Sequence, residues 1–207
     1  MTWNDGILEG WNNGFKVKSK TGYLGSDSLP LLQPGYFPDK IKGMESQQIL
    51  ILGIGNILFS DEGFGVHVVH ELQKHYAFPD HVSVVDGGVL GLNLLGIIST
   101  ADRLIVIDAI QNGQKAGTLY RLEGDAIPER IRAKNSLHQI DFLEALTLCQ
   151  ALDKVPETVI LGVEPMDIGT PCEKPTSVIL SKVDPIIRMV LAELNRLGVS
   201  YHKRSTA

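Results

Sequence analysis

The sequence predicts a single α/β domain: a twisted, mostly parallel five-stranded sheet with helices on both faces. Three observations lead there. Short, continuous runs of β-branched and apolar residues recur along the chain, of a length and character suited to strands buried on both faces. Stretches with helical apolar spacing separate them. Glycines and acids cluster where the runs end, as expected at the carboxyl edge of an open α/β sheet. Strands alternating with helices imply right-handed crossovers and helix layers on both sides.

The first strand is read at Ile49 to Ile54, and Gly53-Ile54-Gly55-Asn56 breaks it. A helix follows from about Glu62 to Tyr76, with Val66, Val69, Gln73 and Tyr76 at helical spacing and Leu72 beside them. Val82 to Val85 is the second strand, ending at Asp86-Gly87-Gly88, and a helix runs through Leu90, Leu94, Leu95 and Ile98. Leu104 to Ile107 is the third strand, ending at Asp108, and Gly117 to Leu122 reads as the fourth. A short helix near Pro128 to Lys134 precedes a longer one from Leu137 to Leu152. Thr158 to Val163 is the fifth strand. After a loop holding Pro165, Pro171 and Pro175, the last helix carries Ile186, Ile187, Val190, Leu191, Leu194 and Leu197 as one apolar stripe, with Gly198 as its stop.

The domain is expected at 47–200, followed by a tail at 201–207 and preceded by an extension at 1–46. The extension has Pro30, Pro34 and Pro38, scattered aromatics such as Trp3, Trp11 and Tyr36, and no sustained period. Three readings stay open for it: a wrap over the body, a partner-docking arm, or a segment ahead of the true start, since Met44 lies just before the first strand. The chain of 207 residues carries a net charge of -5, with both signs interspersed. That excludes the basic footprint of a nucleic-acid binder, and residues 1–102 hold no Arg at all. No apolar run reaches the roughly 18 residues of a membrane span, and no secretory signal is visible. Cys149 and Cys172 stand far apart in no metal spacing, which fits a reducing, cytoplasmic compartment.

The chemistry concentrates at strand ends. Glu62 follows the first strand, Asp86 the second and Asp108 the third, so a parallel sheet brings all three to one edge. Clustered carboxylates repel one another, and a bound cation relieves the repulsion. Ser136-Leu137-His138-Gln139 matches a capping box, with Ser136 as N-cap, which sets His138 in a first helical turn. The helix dipole there disfavours the imidazolium and leaves the neutral ring that a metal requires. Oxygen and imidazole donors together suit a borderline divalent ion such as nickel or zinc. Each residue alone has a plainer reading. Glu62 can simply favour its helix N-terminus, Asp108 can bond a loop, and His138 can be a surface residue in a capped turn. The glycine turn resembles a dinucleotide fingerprint but has Leu58 where the third glycine belongs, and two acids where a phosphate would sit. No G-x-S-x-G elbow surrounds Ser60 or Ser99. His67 and His70 are expected on a solvated helix face, and Glu164 is a further acid at the edge.

The stretch GIGNILFSDEGFGVHVV resembles the opening motif of the hydrogenase maturation endopeptidases. The resemblance continues through VVDGGVLGLNLLG, LIVIDAI and SLHQ, in fixed order over roughly residues 48–200. It implies a peptidase that removes a short C-terminal peptide from the nickel-loaded precursor of a [NiFe] hydrogenase large subunit. It also implies that Glu62, Asp108 and His138 engage the metal, a divalent nickel ion carried by the substrate, with no organic cofactor. Asp86, Gly87 and Gly88 fall on a family motif and are read as substrate-binding or structural. The alternatives are a nickel-reading chaperone that binds the precursor without cutting it, and a nucleotide-binding α/β enzyme.

Overall fold

The first strand, β1 (Ile49–Ile54), is buried along its whole length, as its unbroken apolar run requires. The computed structural model describes residues 47–89, 94–124 and 155–204. The expected extension at 1–46, the helices near 128–134 and 137–152, and the turn carrying His138 all lie outside these residues. So does Cys149.

On one side β1 pairs in parallel with β3 (Val82–Gly88), and on the other with β4 (Arg103–Ala109). β6 (Glu157–Val163) continues the parallel set beside β4, and β5 (Leu119–Glu123) closes the sheet antiparallel to β6. The order is β3-β1-β4-β6-β5. A second, two-stranded sheet pairs β2 (Tyr76–Ala77) antiparallel with β7 (His202–Lys203). The mostly parallel five-stranded sheet matches the expectation.

Side-chain alternation explains why the central strands are apolar throughout. Ile49, Ile51, Ile105, Ile107, Leu161 and Val163 face one core, shared with α1 (Phe64–His75) and α4 (Val183–Arg196). Leu50, Leu52, Leu104, Val106 and Ile160 face the other, with Ile98 of α2 (Leu95–Ile98). Successive residues of a strand point to opposite faces, so a sheet with two cores needs both sets. The remaining described helix, α3 (Ser177–Leu180), leads into α4.

The second and third strands run longer than the sequence reading, the fourth begins two residues later, and both ends of α1 shift. Glu62 lies in a 3-10 turn, Ser60–Gly63, ahead of α1. The helix ends at His75, and Tyr76 is drawn into β2, where its ring packs with Phe78 and Tyr201. Aromatic burial at the small sheet thus overrides the helical spacing.

Candidate active site at the carboxyl edge of the sheet

Glycines bring the Glu62 turn down onto the strand ends. At Gly55, where φ is 139°, an added Cβ would lie 1.9 Å from the carbonyl oxygen of Glu62. At Gly65, in the first turn of α1, a Cβ would lie 2.1 Å from the Ile107 carbonyl and 2.4 Å from that of Ile54. Side chains at either place would push the turn away from the sheet. With glycine there, the Ser60–Gly63 turn, which holds Glu62, packs against β4, the strand that carries Asp108. Both acids are half-buried. The GxG pattern therefore serves close packing of turn, helix and strands.

Register fixes the other acids. Gly53 of β1 stands beside Asp86 on β3 and Ile107 on β4. Asp86 and Asp108 therefore flank the end of β1, two strand spacings or about 10 Å apart across the sheet. Asp86 is exposed and already engaged. Its Oδ2 lies 2.8 Å from Nε2 of His70, and its Oδ1 accepts the Gly88 N–H at 2.9 Å. Asp86, Gly88 and the Gly55–Leu58 segment line a shallow cleft of about 330 Å³, with Ile57, Leu58 and Val89 exposed around it. Among the described residues no three of His, Cys, Asp and Glu are grouped so as to hold a metal ion. His138, the imidazole expected to join Glu62 and Asp108, lies outside them.

Two edge acids have structural duties that sequence reasoning missed. Asp61 is fully buried. Its Oδ2 accepts the N–H groups of Met166 and Asp167, each at 2.9 Å, and its Oδ1 accepts the Thr176 N–H at 2.6 Å. Glu164, just past β6, is also buried. It accepts the Asn112 and Gly113 N–H groups and the Tyr120 hydroxyl, and so closes the loop that follows Asp108. Burial alone would raise the Glu164 carboxyl; the hydrogen bonds from Tyr120, Asn112, Gln114 and Gly113 outweigh it and hold the group below the usual range. A buried acid fixed by backbone donors leaves no periodic signature; the only hint is an acid at a strand end followed by a proline-rich loop.

His67 departs from the expected solvated face. It is half-buried, and its Nε2 is enclosed without a hydrogen-bond partner. Burial, seconded by the neighbouring His70, pulls its pKa below the ordinary value. A hydrogen bond with the Glu173 backbone and the charges of Asp86 and Glu71 oppose this without reversing it. The ring is therefore neutral near pH 7, and the 164–176 loop that packs on α1 explains its enclosure. His70 is exposed, as expected.

The architecture defines an α/β protein with a mostly parallel sheet, whose carboxyl edge carries a glutamate on a glycine-pinned turn and an aspartate near the end of the central strand. Comparison with known proteins makes the class specific. The sequence profile of the family described as "HycI: Hydrogenase maturation protease" matches residues 66–193. The hydrogenase expression/formation protein HupD of Bradyrhizobium diazoefficiens is 40% identical over 166 residues, which span 78% of this chain and 85% of that protein. The hydrogenase 2 maturation protease of Escherichia coli is 36% identical over 154 residues, 73% of this chain and 93% of that one. The solved structure of the E. coli hydrogenase maturating endopeptidase HybD superposes with a TM-score of 0.74 at 34% identity, covering 77% of this chain and 99% of that chain. The chain belongs to the hydrogenase maturation protease family, and its activity is that of a peptidase.

Proposed function

We propose that this peptidase removes a short C-terminal peptide from the nickel-loaded precursor of a [NiFe] hydrogenase large subunit. The nickel belongs to the substrate. Glu62, Asp108 and His138 engage it, so that only a precursor carrying its metal is cut. The observation that supports this reading is the packing of the turn that carries Glu62 against β4, the strand that carries Asp108. Two half-buried carboxylates and one imidazole make a donor set suited to a borderline divalent ion. Held by these three residues, such a metal would supply Lewis-acid chemistry toward the scissile carbonyl or a water, and the protein would need no nucleophile of its own. The cleft between the Gly55–Leu58 segment and the Asp86 turn offers an apolar seat for the extended tail, with Asp86 and Gly88 at its wall and Gly87 packed close against β1. We assign the reaction to the cytoplasm; Cys172 is a free, exposed thiol, and among the described residues no helix is long and apolar enough to cross a membrane.

The test is incubation with metal-loaded and metal-free precursor, with tail release followed by mass spectrometry. Release is expected only from the loaded form. Glu62→Gln, Asp108→Asn and His138→Gln are each expected to slow it by about 100-fold or more while the fold persists, since metal activation contributes several kcal/mol. Tight binding of the loaded precursor with no release would instead identify a chaperone. Undiminished release by all three variants would remove the site assignment.

A further inference from the structure

We infer that Asp61 is a positioning residue for the reaction, coupling the 165–176 loop to the backbone that carries Glu62. This rests on the reading of Glu62 as a residue that engages the metal. Asp61 is completely enclosed, and a carboxylate is costly to bury unless hydrogen bonds satisfy it. Among the described residues, its side chain is satisfied by one segment, 166–176. Met166 N–H and Asp167 N–H reach Oδ2 at 2.9 Å, Thr176 N–H reaches Oδ1 at 2.6 Å, and the Thr176 hydroxyl reaches Oδ2 at 3.1 Å. That hydroxyl stands at the N-cap of α3, yet it makes no cap to its own helix. It is turned toward Asp61 instead.

The main chain is clasped to the same loop. Asp61 N–H donates to the Asp167 carbonyl at 3.0 Å, and Ser60 N–H to the Cys172 carbonyl at 2.6 Å. Cys172 N–H returns a bond to the Leu58 carbonyl at 2.9 Å, and Phe59 and Cys172 form an isolated parallel bridge. Ser60 holds a φ of 39°, a left-handed conformation that a residue other than glycine adopts at some cost and keeps only when its surroundings impose it. The loop supplies that imposition. On the opposite side Gly55 abuts the Glu62 carbonyl. Glu62 thus emerges from a turn clamped on two sides, by the glycine turn and, through Asp61, by the loop. Groups that orient a metal-engaging side chain typically change metal affinity by about 10–100-fold when removed.

The experiment measures cadmium binding to the purified full-length protein by calorimetry. Asp61→Asn is expected to weaken cadmium binding by about 10-fold or more, because one amide N–H then opposes a loop donor. Thr176→Val keeps the side-chain shape, removes a single donor, and should lose several-fold. Amide exchange at Met166, Asp167 and Thr176 should quicken in both variants. Glu193→Gln, in an ion-pair cluster away from this loop, serves as the stability control and should leave cadmium affinity unchanged. If Glu62→Gln weakens cadmium binding while Asp61→Asn and Thr176→Val bind as the wild type does, the inference is overturned and the site reading stands. If Glu62→Gln itself has no effect, the site reading falls and takes the inference with it.

Discussion

Adjacent acids in the Ser60–Gly63 turn have different surroundings: Asp61 is sealed against the 165–176 loop, and Glu62 remains half-exposed at the sheet edge. Sequence alone could place both at the junction of strand and helix, but could not say which side chain turned inward. That choice depends on donors more than a hundred residues away, at Met166, Asp167 and Thr176. The same limit hid His67, whose neighbours come from the loop around Glu173 as well as from its own helix. Its titration has a definite sign. Burial depresses the folded pKa below the ordinary 6.5, so the unfolded chain binds the proton more readily. The fold therefore keeps its full stability from this residue above 6.5 and loses it as pH falls through the folded pKa. His67→Gln, which cannot titrate, should lose less stability than the wild type on acidification from neutral pH through that window. Thermal unfolding across a pH series reads the difference, and parallel curves for the two proteins would refute it.

Element boundaries were more legible than element partners. β1 was readable over its whole span because Ile49 to Leu52 is continuous and Gly53 and Gly55 end it. β4 and β6 were found to within a residue or so, since buried parallel strands are written in Ile, Leu and Val. The direction of β5 was not readable, because side-chain alternation is the same whichever way a strand runs. Nor could spacing show why three glycines surround Glu62; only the packing at Gly55, Gly63 and Gly65 does. The Gly65 contact gives a sharp expectation. Gly65→Ala forces a methyl against two backbone carbonyls that cannot step aside, and overpacking of this kind costs about 1–3 kcal/mol. It should also lift the Glu62 turn from β4 and reduce tail release. Gly96→Ala in α2 meets nothing within 4 Å, so it should be neutral or stabilise by roughly 0.4–1 kcal/mol. Chemical denaturation and release assays on the pair test whether the close approach, and not glycine content, sets activity. Equal behaviour of the two variants would count against it.

At the scale of the sheet, the acids at its two edges have different partners. Its carboxyl edge gathers Glu62, Asp86, Asp108 and Glu164. Toward the opposite edge the acids are paired with arginines. Arg103 bridges Glu157, and Arg121 holds Glu193 through two bonds of 2.7 and 3.2 Å and Glu123 through one of 2.8 Å. Arg196 joins Glu193 at 3.3 Å within α4, while the Arg121–Glu193 pair ties the end of α4 to β5. Glu193 is the buried member, only 9% exposed, so its loss should be felt. Removing its charge leaves Arg121 without its main partner and should cost about 1.5–3 kcal/mol, the range for hydrogen bonds to charged groups. The Arg121 hydrogen bond, against the pull of burial, also holds the Glu193 carboxyl below the ordinary 4.5. A depressed folded pKa contributes stability above the unfolded value and loses it as pH falls through the folded one. Glu193→Gln should therefore unfold in less urea than the wild type at neutral pH, and the gap should close well below pH 4.5. Tail release by the folded variant should match the wild type, because nothing in this cluster touches the Glu62 turn or the end of β4. A gap that persists in acid would show that packing, rather than charge, gives Glu193 its worth. A fall in release with the fold intact would show that the two edges of the sheet are coupled after all.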